Sequence, residues 1–279
     1  MTRALRFREG HLPLERTVLM GIVNVTPDSF SDGGKFLDPA LAVEHAVRLV
    51  DQGASIIDVG GESTRPGADP VPAEAEWRRV GPVLKALGAK TDARISIDTY
   101  KPEIAAKAVS LGADMVNDIT GLRDGRMIRL VKREEAAVVV MHMKGEPKTM
   151  QRAPSYRDVV SEVSAFLDER TRAALAAGIA RDAIVVDPGL GFGKRPEHNM
   201  DILRGLERFR TLGFPILVGP SRKSFSCEIG GGLPRNREEA GIAAAVLAVE
   251  QGADLVRVHD VAATAKAIRI AEADARRVP

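Results

Sequence analysis

The hydrophobic positions of this chain fall into eight short runs distributed over nearly its whole length. The runs are rich in Val and Ile, and apolar residues do not alternate strictly with polar ones within them, which is typical of parallel strands buried on both faces. The pattern predicts eight strands, at residues 18–25, 55–59, 95–97, 115–117, 137–142, 183–186, 215–218 and 255–258.

Segments with the spacing of amphipathic helices lie between these runs, most clearly at residues 39–52, 101–111, 156–177 and 238–251. Three helix-like segments end in a Gly-Ala pair directly before the next strand, at Gly53, Gly112 and Gly252. Glycine at such a position suits a left-handed helix C-cap that leads into a short loop. The chain therefore has a weak internal repeat of a strand–helix unit.

Eight such units favour an α/β fold, a closed (β/α)8 barrel of the TIM type, as a single domain over residues 1–279. A barrel of this kind typically needs about 250 residues, which would use nearly the whole chain. An open, doubly wound sheet is the alternative that the same pattern leaves open.

The composition narrows the class of protein further. The chain has 40 basic and 38 acidic residues, a net charge of +2, and this balance argues against a nucleic-acid partner. Its single cysteine, Cys227, cannot form an intrachain disulfide, which fits a reducing compartment. No signal-like segment or apolar run of about 18 residues is found, so we expect a cytoplasmic protein without a membrane partner.

A polar or charged residue follows every predicted strand. Barrel enzymes build their active sites from the C-terminal ends of the strands. One such residue alone could be a cap or a solvated strand end, but the whole set predicts one polar bowl. Its members are Asn24, Asp58, Asp98, Asn117 with Asp118, His142, Asp187, the triplet Ser221-Arg222-Lys223, and Arg257 with His259.

The bowl separates into two kinds of chemistry. Asp98, Asn117 and Asp187 offer acceptors and an amide, which suit a flat heterocycle with several N–H donors. A second group offers cations, which suit a phosphorylated or pyrophosphorylated ligand. Its members are Arg65, Lys223, Arg257 and His259. Two loops rich in Gly and Ser, residues 24–34 and 60–67, are predicted to be mobile and to wrap an anion with backbone N–H groups.

Seven motifs occur in order between residues 20 and 261, namely MGIVNVTPDSFSDGG, DVGGESTRPGA, SIDTYKP, NDITG, DPGLGFGK, GPSRKSF and RVHDV. Together they resemble the motif series of the dihydropteroate synthase family. The resemblance implies a pterin-binding TIM barrel, a transferase of folate biosynthesis that is a homodimer and a sulfonamide target. It implies that 6-hydroxymethyl-7,8-dihydropterin pyrophosphate and para-aminobenzoate are joined to give 7,8-dihydropteroate and pyrophosphate. The implied route is dissociative, with the C–O bond to pyrophosphate breaking first.

The resemblance also implies roles for single residues. The pterin ring would be bound by Asp98, Asn117, Asp187 and Lys223. Pyrophosphate would be bound by Asn24, Thr64, Arg65, Arg257 and His259, and Asn24 would also ligate Mg²⁺. The para-aminobenzoate pocket would consist of Phe30, Thr64, Pro66, Phe192, Lys223 and Ser224, with Ser224 at a helix N-terminus. The catalytic set would be Asp98, Asp187, Lys223, Arg257 and His259.

Three positions depart from the family pattern: Pro220, the pair Ser226-Cys227, and Ile242. The first two flank the substrate loop, so they bear on affinity for para-aminobenzoate and sulfonamides.

Two other functions compete with this interpretation. A methyltransferase that uses methyltetrahydrofolate would share the pterin site but not the anion site, and a non-catalytic pterin-binding paralogue would tend to lose motif residues that are present here.

Overall fold

The computed structural model describes residues 3–26, 38–230 and 237–275, and in this part of the chain all eight predicted strands are present. A short antiparallel hairpin precedes them, formed by β1 (Ala4–Arg6) and β2 (His11–Pro13). The eight strands that follow are β3 (Val18–Asn24), β4 (Ile56–Gly60), β5 (Arg94–Asp98), β6 (Met115–Asp118), β7 (Ala137–Met141), β8 (Ile184–Asp187), β9 (Leu217–Val218) and β10 (Leu255–Val258).

These eight strands form one parallel sheet that curls into a barrel. Strands β3 to β8 are neighbours in chain order, β10 pairs with β3, and β9 pairs with β10. A parallel bridge between Val186 and Ile216 joins β8 to the segment just before β9 and brings the two edges of the sheet together. The (β/α)8 barrel is therefore confirmed, and the open sheet is excluded.

Helices follow the strands: α1 (Pro39–Asp51), α2 (Ala73–Leu87), α3 (Pro102–Ser110), α4 (Gly125–Glu134), α5 (Val159–Ala176), α6 (Pro196–Arg204), α7 (Ser224–Gly230), α8 (Arg237–Glu250) and α9 (Val261–Ala275). The glycines predicted to end three helices have positive φ angles, +109° at Gly53, +101° at Gly112 and +93° at Gly252. The helix predicted from residue 156 begins later, because Asp158 is its N-cap and accepts a hydrogen bond from the Ser161 N–H at 3.1 Å.

The hairpin was not predicted, since strands of three residues are too short for a hydrophobic period. It buries Leu5 and Phe7 almost completely against residues from the first halves of the barrel strands, among them Val18, Ile56 and Leu255. Burying each such side chain stabilises a fold by about 1.5–3 kcal/mol. The hairpin thus covers the N-terminal end of the barrel with apolar side chains and leaves the other end for polar chemistry.

No helix in the described ranges is long and apolar enough to span a bilayer.

Candidate active site

The C-terminal ends of the strands open into a cavity of about 1260 Å³. Strand register brings the predicted residues to one level, because Asn24, Gly60, Asp98 and Asn117 are successive Cα partners across β3 to β6. Ten of the predicted site residues line the cavity: Asn24, Thr64, Arg65, Pro66, Asp98, Phe192, Lys223, Ser224, Arg257 and His259. Phe30 lies outside the described residues.

Arg257 joins two carboxylates at the bottom of the cavity. Its Nε donates to Asp58 Oδ2 at 2.5 Å, and its Nη2 donates to Asp98 Oδ2 at 2.6 Å. Asp58 is completely buried, and its Oδ2 also accepts a hydrogen bond from Asn117 Nδ2 at 2.9 Å. Burial raises the pKa of the Asp98 carboxyl to about 7, and the positive charge of Arg257 opposes this rise. One guanidinium therefore orients the two carboxylates, while Asp58 links it to Asn117.

Three buried oxygen atoms in this region accept no hydrogen bond from the described residues: Asp58 Oδ1, Ser96 Oγ and Asn117 Oδ1. Asp58 and Ser96 are Cα partners on adjacent strands, so they belong to the same layer of the barrel. A buried acceptor without a partner costs about 1–3 kcal/mol. These strand ends, next to Asp98 in the sheet, therefore offer acceptors to a ligand that brings N–H donors.

Asp187 and Lys223 lie on the other side of the cavity. Asp187 is buried, and its Oδ1 accepts a hydrogen bond from the Gly189 N–H at 2.7 Å. Burial raises the pKa of the Asp187 carboxyl to about 6, and the same effect lowers the pKa of the half-buried Lys223 to about 8. The Lys223 ammonium lies 4.1 Å from the centroid of the Phe192 ring. Lys223 and Phe192 thus line the cavity together, and the buried Asp187 carboxylate acts on the Lys223 ammonium through its charge.

His259 lies beside Asn24 and Ser221 at the rim. Its Nδ1 is 3.0 Å from Ser221 Oγ, and its Nε2 is 3.4 Å from Asn24 Nδ2. Burial lowers the pKa of His259 well below 6.5, and the nearby cations, first of all Arg222, lower it further. The expectation that His259 is a cation is therefore wrong for the free protein, in which the imidazole is neutral at pH 7.

Five strand-end residues of the predicted bowl do not line the cavity: Asp58, Asn117, Asp118, His142 and Asp187. Asp118 and His142 make their contacts elsewhere. Asp118 immediately follows Asn117, so its side chain points to the opposite face, where its carboxylate accepts the N–H groups of Thr120 at 2.8 Å and Leu122 at 3.1 Å. His142 is buried with its Nδ1 3.0 Å from Lys194 Nζ. Both residues shape the loops that follow their strands.

A buried ion cluster that the sequence interpretation missed lies under the loop 60–67. Lys101 Nζ donates to Glu62 and also to Glu76 Oε2, at 2.5 Å, and the Tyr100 hydroxyl donates to Glu62 Oε1 at 2.9 Å. A further hydrogen bond, from the Gly67 N–H to the Pro147 carbonyl at 3.1 Å, holds the far end of the loop. The motifs GGESTRPG and SIDTYKP contained Glu62 and Lys101, but their pairing across two loops could not be seen in the sequence. These contacts hold both ends of the loop, and the prediction that the loop is mobile applies to its middle.

Similarity to known proteins shows which class of enzyme the barrel belongs to. A model of the pterin binding enzyme family matches residues 20–259, so the barrel is of the pterin-binding class. A dihydropteroate synthase of Escherichia coli is 45% identical over 268 residues, which cover 96% of this chain and 95% of that protein. The structure of Xanthomonas albilineans dihydropteroate synthase with 4-aminobenzoic acid is 46% identical, covers both chains fully and has a TM-score of 0.92.

A third relative, the Yersinia pestis dihydropteroate synthase in complex with a sulfonamide drug, is 41% identical, with 98% of this chain and 99% of that chain covered and a TM-score of 0.94. The chain belongs to the dihydropteroate synthase family.

Proposed function

We propose that the protein is a dihydropteroate synthase, a transferase of folate biosynthesis. It would join 6-hydroxymethyl-7,8-dihydropterin pyrophosphate to para-aminobenzoate and release 7,8-dihydropteroate and pyrophosphate. One observation supports this most directly: buried acceptors and cations converge at the same end of one barrel. Arg65, Asp98 and Lys223 line the same cavity, and the buried Asp187 carboxylate interacts with the Lys223 charge.

The buried acceptors would bind the pterin ring. The ring carries an amino group and ring N–H groups, and the carboxylates of Asp98 and Asp187 with the amide of Asn117 can accept them. Hydrogen bonds to charged groups contribute about 1.5–3 kcal/mol each, so these contacts select a donor-rich heterocycle over an apolar one. Lys223 would donate to a ring acceptor from the opposite wall.

Thr64, Arg65, Arg257 and His259 would bind the pyrophosphate. Because His259 is neutral in the free protein, the imidazole would act there as a hydrogen-bonding group, and the positive charge would come from the arginines. Arg257 already holds two carboxylates, so it would link the pterin end of the substrate to the pyrophosphate end.

The residues around Asn24 fit a magnesium ion. Asn24 Oδ1 and Asp98 Oδ2 both face Gly60, at 3.8 Å and 3.6 Å from the position that a Cβ on Gly60 would take. Mg²⁺ prefers oxygen ligands and keeps few protein ligands beside substrate phosphates. Asn24 would hold the ion, which when bound would supply charge neutralisation to the departing pyrophosphate.

The geometry supports a dissociative reaction. The C–O bond between the pterin methylene and pyrophosphate would break, and both electrons would leave with pyrophosphate, whose charge Arg65 and Arg257 stabilise. The carboxylates of Asp98 and Asp187 would hold the ring while it carries positive charge. The amine of para-aminobenzoate would then form the new C–N bond and lose a proton. No residue of the protein needs to form a covalent bond.

Para-aminobenzoate would bind at the mouth of the cavity, between Pro66 and Phe192, with its carboxylate toward Ser224. In this structure α7 begins at Ser224, as predicted. Sulfonamides would bind the same place as inhibitors, since the Yersinia pestis relative forms a sulfonamide complex. The departures at Pro220 and Ser226-Cys227 make a sulfonamide inhibition constant a useful measurement for this particular chain.

We also propose that the protein is a homodimer. The neighbouring helices α7, α8 and α9 expose large apolar side chains, Ile229, Leu247 and Ile270, and Ile270 is 74% exposed. Apolar side chains that cluster on the surface often mark interfaces. Sedimentation equilibrium of the wild type and of Ile270→Glu tests this, because a monomeric wild type would exclude the dimer.

One assay separates the proposed activity from its two competitors. The protein is incubated with the pterin pyrophosphate, para-aminobenzoate and Mg²⁺, and dihydropteroate and free pyrophosphate are quantified. Equal amounts of the two products support the synthase. Pterin binding without either product would favour the non-catalytic paralogue, and methyl transfer from methyltetrahydrofolate would favour the methyltransferase.

A further inference from the structure

The segment after β8, residues 187–194, carries Phe192 into the cavity wall. Its glycines have left-handed backbones, with φ of +69° at Gly189 and +64° at Gly193. A Cβ on Gly189 would lie 2.0 Å from the His142 carbonyl oxygen, and one on Gly193 would lie 2.3 Å from the Lys144 carbonyl oxygen. The segment therefore packs its backbone directly against the chain that follows β7.

One buried lysine lies at the centre of this segment. Lys194 is only 2% exposed, and its Nζ donates to the Gly189 carbonyl at 2.8 Å and the Phe192 carbonyl at 3.1 Å. The same nitrogen is 3.0 Å from His142 Nδ1. Burial lowers the pKa of Lys194 to about 7, and the charge of Asp187 opposes this fall. In its ammonium form Lys194 only donates, so His142 Nδ1 is then the acceptor and the proton of its ring lies on Nε2. Burial lowers the pKa of His142 to about 2, which keeps a second positive charge away from Lys194.

The carbonyls that Lys194 holds belong to residues whose other groups face the site. Phe192 presents its ring to the Lys223 ammonium, 4.1 Å away. Gly189 donates its N–H to the Asp187 carboxylate at 2.7 Å. Lys194 thus contacts, through one nitrogen, the backbone on both sides of the turn between Asp187 and Phe192.

We propose that Lys194 is a positioning residue, which acts through the Gly189 and Phe192 carbonyls to fix the Phe192 ring in the para-aminobenzoate pocket. The inference rests on the proposed function for the identity of the ligand. An apolar side chain of similar length would leave the Phe192 carbonyl without its side-chain donor and the Gly189 carbonyl with only the Phe192 N–H, at 3.2 Å, and the turn would relax away from Lys223. Misplacement of a contact by about 1 Å can cost of the order of a hundredfold in rate or affinity.

The test is steady-state kinetics of Lys194→Met, Lys194→Arg and the matched control Lys144→Met. Lys144 is a partly exposed lysine that packs on Tyr156 beside the same segment, so its removal takes one positive charge from the neighbourhood and leaves the turn intact. We expect Lys194→Met to raise the KM for para-aminobenzoate about tenfold or more and to change kcat less than about threefold. Lys194→Arg keeps N–H donors and should recover at least part of the affinity that Lys194→Met loses, whereas Lys144→Met should stay within about threefold of the wild type.

Unchanged KM in Lys194→Met would overturn the proposal, and so would equal impairment of the Met and Arg variants. If Lys194→Met does not fold, Lys194→Leu, which also lacks a donor, replaces it, with the same expected rise in KM. The wild-type reaction tests the proposed function separately. Should the wild type make no dihydropteroate, amide hydrogen exchange of residues 188–194 still decides the positioning role. Exchange should be faster in Lys194→Met than in Lys194→Arg, and equal rates would contradict the proposal.

Discussion

The Nη2 atom of Arg257 lies 2.6 Å from the Oδ2 atom of Asp98, so the carboxylate expected to bind the pterin is engaged by an arginine of the same chain. Ligand binding must therefore either share this carboxylate or move the guanidinium. Asp58 holds the other edge of the same guanidinium, which limits how far it can move. Under the proposed function, this ion pair would connect the residue that binds the pterin with a residue that binds the pyrophosphate.

Asp98→Asn should weaken pterin binding about tenfold or more, because a neutral amide replaces a charged acceptor. Isothermal titration with the pterin measures the change. Asp201→Asn, on the exposed side of α6, is the control and should leave the affinity unchanged. Wild-type affinity in Asp98→Asn would show that the ring binds elsewhere.

Asp187→Asn should weaken pterin binding and yet stabilise the folded protein at high pH. The folded-state pKa of Asp187, about 6, is raised above the ordinary value of 3.8. The stability it contributes is therefore present at low pH and is lost as the pH rises through about 6. At pH 8 the variant should be more stable than the wild type by about 2–3 kcal/mol, and near pH 4 the difference should approach zero. Urea unfolding at both pH values measures this, and a difference that does not vary with pH would contradict it.

Magnesium should bind weakly to the free protein and tightly in the presence of pyrophosphate. Asn24 is one neutral ligand, and Mg²⁺ takes most of its remaining ligands from phosphates and water. Calorimetry with Mg²⁺ alone and with saturating pyrophosphate measures the difference, with Asn24→Ala as the variant that should lose it. Tight binding of Mg²⁺ alone would exclude this arrangement.

Para-aminobenzoate should bind well only after pyrophosphate and Mg²⁺. The middle of the loop 60–67, with Thr64 and Arg65, must be ordered for the pocket to form, and ordering costs about 1–2 kcal/mol per residue. Pyrophosphate can order these residues through charge-assisted hydrogen bonds. Para-aminobenzoate is small, and its few contacts cannot offset this cost of ordering. Calorimetric titrations of para-aminobenzoate with and without pyrophosphate and Mg²⁺ measure the effect. Equal affinities would refute the ordered scheme and leave the reaction assignment intact.

Lys101→Met should destabilise the fold by about 3–5 kcal/mol, because it leaves two buried carboxylates without their shared cation. Burial already raises the pKa of Glu76, so the double variant Lys101→Met with Glu76→Gln should recover part of the loss. Chemical denaturation measures both variants. The exposed pair Lys148–Asp69 offers the control, since Lys148→Met should leave stability unchanged. Equal loss in both lysine variants would show that burial is not the cause.

The barrel could be predicted because its strands are buried on both faces, which leaves continuous apolar runs in the sequence. The end of the barrel that holds the site could be predicted too, because the C-terminal ends of parallel strands lie at the same end of the barrel. The sequence could not show which way a side chain leaves a strand end, so Asp118 and His142 were grouped with residues that face the cavity. Nor could it show contacts between distant loops, such as Glu62 with Lys101. The lowered pKa of His259 depends first on burial and then on cations, and both arise only when the chain folds.

The hairpin that carries Leu5 and Phe7 limits the route by which a ligand can enter and leave the barrel. Because it closes the N-terminal end of the barrel, whatever reaches the buried acceptors near Asp58 and Asn117 must enter and leave by the mouth at the other end. A ligand bound at the mouth would block access to the buried acceptors behind it. Under the proposed function, the pterin substrate would therefore bind before para-aminobenzoate, and the product would leave with its para-aminobenzoate part first.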